Sequence, residues 1–497
     1  MKYKFWTKTL IVVCMGVFFV SSQDIRAEAD QENNMPPYNF NAINAKKAKF
    51  EKKPVPKKLP KLEVSTDGHY LVAEGGEPFF WLGDTVWGLL KNATREEADY
   101  YLRHRAANGF NVVQAVALWG WGWRDGIGGD NAYGEVPFIK DDPARPNEKY
   151  WEHVDYIVNK AESYGMYMGL LPLWGGDQIA RLHYFNEEQA YNYGIFLGQR
   201  YKDNRIIWIL GGDTHGFKSP EVYRALAKSI AIGLTGEEDY DSHLMTFHPY
   251  GGYSSSAWFH DDQWLDFNMV QSGHSFNSDT YNRILFDYGR HLTKPVLDGE
   301  PSYENIYHDL NKRNPKINSH EVRKAAYWAV LAGACGHTYG AHELFVFYKG
   351  GDPGNWNADT YWYDALDFPG SDDMKHLRDL FKEFPFNKLV KDAALLITDK
   401  GYGDHHIESA MATDKSFGLI YVPNGKKIEV NTLVLKGKNV QAFWFNPRDG
   451  KRALIKTFSE KGAQEFLPPS QSQDWLLILE SMGTETEKQD ENEEEIL

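Results

Sequence analysis

The sequence predicts an α/β protein: a (β/α)8 TIM barrel followed by a C-terminal antiparallel β-sandwich domain. Three observations predict it. Eight short apolar or β-branched runs alternate with longer stretches of helical periodicity over roughly 300 residues, the pattern of a barrel. After about Lys388 the period changes to short alternating runs separated by Gly, Asn and Pro. The chain has 497 residues and 42% hydrophobic content, too long for one ordinary domain and apolar enough for a large core.

The eight predicted strands cover 79–83, 111–118, 166–172, 206–210, 243–248, 267–271, 295–299 and 334–339. Gly75-Gly76 marks a hairpin turn in a small β element before them. Thr94-Arg-Glu-Glu97 reads as a capping box, and Ser219-Pro220 places a cap before a proline at the first helical position. Ser319 and Ser371 read as two more caps. A doubly wound open sheet is the alternative, but it would carry a Gly-rich phosphate turn after its first strand, and Trp-Leu-Gly-Asp-Thr supplies none. The runs LLITD, FGLIYVP, QAFWFNP and WLLILE outline the sandwich. The expected segments are 1–27 signal peptide, 28–62 leader, 63–387 barrel, 388–482 sandwich and 483–497 acidic tail.

Composition limits the function. A formal net charge of −15 argues against a nucleic-acid partner, because phosphate binding needs a basic surface. From Thr484 to Leu497, seven acidic residues face one Lys, a solvated run. Lys2, Lys4 and Lys8 followed by TLIVVCMGVFFV read as a secretory signal, so export is expected, with cleavage after Ser22 or Ala27. Lipid attachment at Cys14 is disfavoured, because Val13 precedes it where a small residue is wanted. No later run is long and apolar enough to span a membrane. Once the signal is removed Cys335 stands alone, which excludes an intrachain disulfide and a Cys-rich metal site. Oligomeric state is not readable.

In a barrel the chemistry sits just past the strand ends. Two carboxylates stand there after Gly-containing turns: Asp213, ending IIWILGGD after strand four, and Glu300, ending PVLDGE after strand seven. Strands four and seven lie three apart around the ring, so their ends face each other. Such a pair serves a retaining glycosidase, one carboxyl protonating the leaving oxygen while the other attacks the anomeric carbon. Asp213 is assigned as acid/base, with a raised pKa, and Glu300 as nucleophile. Asp298 is the runner-up, two residues before Glu300 and more readily structural; Glu304 and Glu343 are weaker. The other rim residues are expected to bind substrate: Asp84, Trp87, Gln114, Trp119, Trp121, Trp174, His248, Gln271, His274, His337 and Tyr339. Aromatic rings among them suit the apolar C–H faces of sugars. A metal site built from His248, His274 and His337 can be imagined, but no HxH or HExxH spacing supports one, so no metal and no cofactor is expected.

The stretches Trp81-Leu-Gly-Asp84-Thr-Val-Trp87, Gly109-Phe-Asn-Val-Val-Gln114, Trp208-Ile-Leu-Gly-Gly-Asp213 and Pro295-Val-Leu-Asp-Gly-Glu300-Pro together resemble the apiosidase-like glycoside hydrolases, family 140. The resemblance covers about residues 62 to 480. It implies a retaining barrel enzyme with Asp213 as acid/base and Glu300 as nucleophile, followed by a sandwich labelled collagen-binding in that family. It further implies release of apiose-linked side chains from the pectin rhamnogalacturonan II. Related barrel glycosidases more often carry Asn-Glu after strand four, where this chain has Gly-Asp. A polysaccharide or oligosaccharide of plant or algal walls is the expected partner. The alternatives are a barrel glycosidase of different sugar specificity and a non-catalytic glycan- or collagen-binding protein.

Overall fold

The computed structural model describes residues 38–39, 58–120, 127–181, 183–351, 358–391 and 394–482. The expected signal peptide, most of the leader and the acidic tail lie outside them. A three-stranded antiparallel sheet comes first: β1 (Leu62–Val64), β2 (Leu71–Ala73) and β3 (Pro78–Phe79). The β2–β3 turn passes through Gly75 and Gly76, both at positive φ. This sheet lies at the strand-entry end of the parallel strands, where the Tyr167 hydroxyl donates to the Pro60 carbonyl and Phe79 packs edge-on against Tyr167.

Eight parallel strands follow. They are β4 (Trp81–Thr85), β5 (Val112–Val116), β6 (Tyr167–Leu171), β7 (Ile206–Thr214), β8 (Met245–Pro249), β9 (Asn268–Val270), β10 (Val296–Asp298) and β11 (Gly336–Gly340). Six form one sheet in the order β11-β4-β5-β6-β7-β8, and β9 and β10 form a parallel pair. Isolated hydrogen bonds link the two sets: Cys335 N–H to the Val296 carbonyl, and Asp266 N–H to the Met245 carbonyl, each 2.9 Å. The strands are buried almost throughout, as parallel strands covered by helices must be. The architecture is a curled, TIM-like parallel sheet wrapped by helices.

All eight predicted strands exist, with shifted ends. The first begins at Trp81 rather than Phe79, because β3 takes Phe79 into the antiparallel sheet. Thr94 forms its capping box with Glu97. Ser219 precedes Pro220 at the first helical position, but its hydroxyl donates to the Lys218 carbonyl and caps nothing. Asn318, not Ser319, caps helix Ser319–Leu331, since its side-chain oxygen accepts from the N–H groups of His320 and Glu321. Ser371 sits inside helix Pro369–Glu383, donating to Leu366 and accepting from Arg105.

The C-terminal portion is an antiparallel sheet domain. Its strands are β12 (Leu389–Val390), β13 (Glu408–Ala412), β14 (Phe417–Val422), β15 (Ile428–Asn431), β16 (Asn439–Phe445), β17 (Arg452–Phe458), β18 (Ala463–Phe466) and β19 (Trp475–Met482). Six pair in the order β12-β13-β14-β19-β16-β17, and β15 and β18 form a second pair. The predicted run LLITD is not a strand; it lies along β15, with a bridge from Leu396 to Val430 and hydrogen bonds from the Ile397 and Thr398 N–H groups to the Glu429 carbonyl. Alternation sorts the faces. Ile420, Val422, Leu477 and Leu479 join Val430 and Phe466 in the domain core. Phe417 and Tyr421 point the other way, Phe417 meeting Phe384 at 5.2 Å and Tyr421 stacking on Tyr327 at 4.9 Å.

A buried ionic cluster locks this contact. Arg323, on helix Ser319–Leu331, donates through Nε and Nη2 to both oxygens of Asp474 at 2.9 Å and through Nη1 to Asp373 at 2.6 Å. Arg448 and the Tyr421 hydroxyl also donate to Asp474. Removing one member of a buried pair costs about 3–5 kcal/mol. Arg323→Ala is therefore expected to lower unfolding free energy by about 3 kcal/mol, the lower end, because Arg448 and Tyr421 still hold Asp474. Urea unfolding of the full chain measures it, with Arg323→Lys recovering only part because Lys lacks the planar fork.

Candidate active site

The end of β7 departs from regular pairing. Gly211 pairs with His248, but the next pair is Thr214 with Pro249, so Gly212 and Asp213 bulge out of the ladder. Gly211, Gly212 and Asp213 have φ of 89°, 105° and 44°. Glycine adopts such angles without strain, and Asp tolerates the left-handed region better than most residues. A Cβ on Gly212 would stand 2.8 Å from the Trp174 ring, so the bulge presses directly on an aromatic wall. The bulge aims Asp213 toward Glu300, which follows β10.

Ligand atoms of Asp213, His248 and Glu300 all lie within 4.8 Å of one another. Glu300 is buried, whereas Asp213 keeps partial solvent access. The environments of the two carboxyls are opposed. Burial, then the Glu300 charge, pushes the Asp213 pKa up to about 6, against the pull of His248, the Gln271 amide and His274. Gln271 Nε2 donates to Asp213 Oδ1 at 3.0 Å. Burial also acts to raise Glu300, but contacts from His248 and His274 outweigh it and hold Glu300 below the usual carboxylate range.

Both imidazoles are oriented by backbone. The Asp213 N–H faces His248 Nδ1 at 3.5 Å, and the Tyr303 N–H faces His274 Nδ1 at 3.4 Å. Each Nδ1 accepts, so each ring carries its proton on Nε2, turned toward Glu300. His274 Nε2 donates to Glu300 Oε1 at 3.1 Å. His248 Nε2 lies 3.0 Å from Oε2 but off the hydrogen-bond axis, a close polar contact rather than an aligned bond. Trp87 and Trp174 pack on His248 at 5.2 and 5.7 Å, and Trp119 packs edge-on to Trp174 at 5.1 Å.

Asp213, Glu300, His248, Gln271, His274, Trp87, Trp119 and Trp174 thus share one mouth. Trp121 lies outside the described residues. Four other expected rim residues are placed elsewhere. Asp84 pairs with Arg105 at 2.7 Å and accepts from the Tyr101 hydroxyl at 2.6 Å, both on helix Arg95–Ala107, so it faces the helix layer. Tyr339 pairs with Asp84 in register and donates to Glu304 at 2.7 Å. His337, two residues earlier on β11, shares that face, and burial drives its pKa down to about 3. Gln114 faces the interior but is fully buried, its amide donating to Thr85 at 3.0 Å and across to the Gly299 carbonyl at 2.8 Å. It holds the turn before Glu300 rather than meeting solvent.

Asp298 accepts from the Ser272 hydroxyl at 2.6 Å and its N–H at 3.2 Å, a structural acceptor tying β10 to the segment after β9. Glu304 accepts from Tyr339 and the Gly370 N–H, and Glu343 from Asn305. The imagined His248, His274 and His337 set is not assembled. Among the described residues, the donor set that could take a cation is Asp213, His248 and Glu300. One site residue went unread in the sequence: Tyr303, whose ring lies 4.5 Å from His274 and whose buried hydroxyl lies near Glu300 and Thr85. Its position three residues after Glu300 was the available signal.

This curled parallel sheet, with a carboxylate pair at its C-terminal mouth, defines a glycoside hydrolase. A family model described as "Apiosidase-like, catalytic domain" matches residues 65–388, and one described as "Putative collagen-binding domain of a collagenase" matches residues 390–480. The chain belongs to the apiosidase-like family. A solved structure described as "Glycoside hydrolase" is 34% identical with a TM-score of 0.79, covering 86% of this chain and 98% of that one. A glycoside hydrolase family 5 structure from Bacteroides vulgatus is 33% identical with a TM-score of 0.80, covering 88% and 96%. No curated protein matches the chain.

If the imidazoles hold Glu300 ionised, losing one must raise its pKa. His274→Ala is expected to move Glu300 upward, read by infrared titration of the carboxylate stretch with Glu300→Gln as the blank. An unchanged titration would contradict the assigned hydrogen bond.

Proposed function

We propose that this chain is an exported, retaining glycoside hydrolase acting on a plant or algal cell-wall polysaccharide, with apiose-linked side chains of rhamnogalacturonan II as the first substrate to test. The observation that carries the reading is one carboxyl biased toward protonation and one held ionised, with oxygens no more than 4.8 Å apart. Retaining enzymes hold their carboxyls about 5–5.5 Å apart, and inverting enzymes about 6.5–9.5 Å to admit a water. We read the eight parallel strands as a closed (β/α)8 ring, which brings the ends of β7 and β10 face to face. Export rests on the N-terminal signal pattern.

Glu300 attacks the anomeric carbon while Asp213 gives its proton to the departing glycosidic oxygen. The glycosyl–Glu300 ester then meets water. Asp213, now ionised, takes the water proton as oxygen attacks the anomeric carbon and Glu300 leaves as carboxylate. His248 and His274 stabilise that carboxylate. The Trp87, Trp119 and Trp174 wall gives the reacting sugar an apolar face. The C-terminal sheet braces the barrel through the Arg323–Asp474 contact.

Asp213→Ala and Glu300→Ala should each reduce kcat/KM by at least roughly 10²–10⁴-fold on whichever glycan the wild type cleaves. Product analysis on a pectic and hemicellulosic panel measures this, and proton NMR of the first-formed anomer should show retention. Near-normal rates in both variants, or inversion, would overturn the mechanism. The pH profile follows from the signs. Asp213 must be protonated, so kcat/KM should fall as pH rises through about 6. Glu300 must be ionised, so the acid limb should lie below the ordinary Glu range.

A further inference from the structure

The mouth carries a second group of aromatic rings that no part of the catalytic arrangement uses. His215 lies two residues after Asp213, and Tyr250 two residues after His248. His215 stacks on Phe217 with ring centres 5.4 Å apart, lies 4.7 Å from Tyr250, and meets Tyr253 edge-on at 4.9 Å. Trp258 backs the group, 5.5 Å from Tyr253 and 5.7 Å from His215. Unlike the tryptophan wall, where Trp87, Trp119 and Trp174 are 2%, 3% and 6% exposed, this group is open to solvent. Phe217 is 64% exposed, Tyr250 48% and Tyr253 46%. Contiguous exposed apolar rings mark interaction sites.

The group is rigidly carried and continuous with the catalytic pair. Gly252 N–H donates to the Gln271 carbonyl at 2.8 Å, and Gln271 N–H to the Tyr253 carbonyl at 3.0 Å. The loop bearing both tyrosines is thus bonded to the residue whose side chain holds Asp213. A methyl at Gly251 would sit 3.9 Å from that same amide. Ser254 and Ser256 both donate to Asp287, anchoring the loop's far end. Such support keeps a platform in place before a ligand arrives. Burial and Lys218 also lower the pKa of His215, favouring its uncharged ring.

We propose that Phe217, Tyr250 and Tyr253 form the leaving-group subsite, stacking on the apolar C–H face of the sugar that departs with the glycosidic oxygen. The proposal rests on the reading of Asp213 as acid/base, since the acid stands on the leaving-group side of the scissile bond. The buried tryptophans wall the sugar attacked by Glu300, and the exposed rings take the sugar released.

The test compares two substrates with the same reacting sugar: the glycan cleaved by wild type, and the corresponding glycosyl fluoride, whose leaving group has no ring to stack. In Phe217→Ala and Tyr250→Ala, the ratio of kcat/KM for glycan to that for fluoride should fall about 10-fold, the scale of one lost aromatic contact. Tyr250→Phe, which keeps the ring, should retain the wild-type ratio. An unchanged ratio in both Ala variants, whether through parallel losses or no loss, would overturn the subsite while leaving the hydrolase intact. A wild type that cleaves no glycan would overturn the hydrolase reading and this proposal together.

Discussion

The structure turns on holding two carboxyls of opposite protonation bias within 4.8 Å in a largely desolvated mouth. Left alone, two such groups push each other's pKa upward and share a proton. The fold breaks the symmetry by turning two imidazoles onto Glu300. Glu300 receives the Nε2 side of two imidazoles, while Asp213 receives one side-chain amide and faces the Glu300 charge. The asymmetry originates in the backbone, because the N–H groups of Asp213 and Tyr303 choose which nitrogen of each ring is left to face Glu300. Asp213 therefore orients, through its own amide, a ring that keeps its partner ionised.

That arrangement sets demands on its surroundings. The bulge at Gly212 and Asp213 is needed because a regular strand end would continue the ladder with β8 instead of turning a carboxyl inward. Gln114 reaches across the interior to the Gly299 carbonyl, fixing the turn that presents Glu300. Gly340 leaves room for Tyr303, since a Cβ there would come within 2.2 Å of its ring. Gly212, Gln114 and Gly340 contact no substrate in the proposed mechanism; the first two fix the carboxyls that do, and Gly340 seats the ring beside His274.

Much of this was legible in the sequence because its signals are periodic. Strand–helix alternation located all eight strands, and Gly-Gly-Asp and Gly-Glu at the ends of the fourth and seventh marked the carboxylates. What failed was the side of the strand. Asp84 and Tyr339 near the ends of their strands, and His337 near the start of β11, looked like rim residues, but alternation turns them toward the helices, where Arg105 and Glu304 meet Asp84 and Tyr339. Thr85, beside Asp84, is the inward residue, as its bond with Gln114 shows. One step of the period-two pattern separates a core ion pair from a site residue. Asn318 was passed over for Ser319 because either residue type can cap, and only the backbone angle decides. Phe217, Tyr250 and Tyr253 lie in loops, where no periodicity says which rings will meet.

The seam between the parallel-sheet domain and the C-terminal sheet bears on how such chains can be divided. Both partners bury aromatic faces there: Tyr327 against Tyr421, Phe384 against Phe417, and Tyr281 stacked on His406 at 3.5 Å. A cut near Lys388 would expose these rings and strand Arg323 without its bidentate partner. The two halves are consequently poor candidates for shuffling as independent modules. The natural unit of recombination in this architecture is the parallel-sheet domain together with the antiparallel sheet that covers its flank.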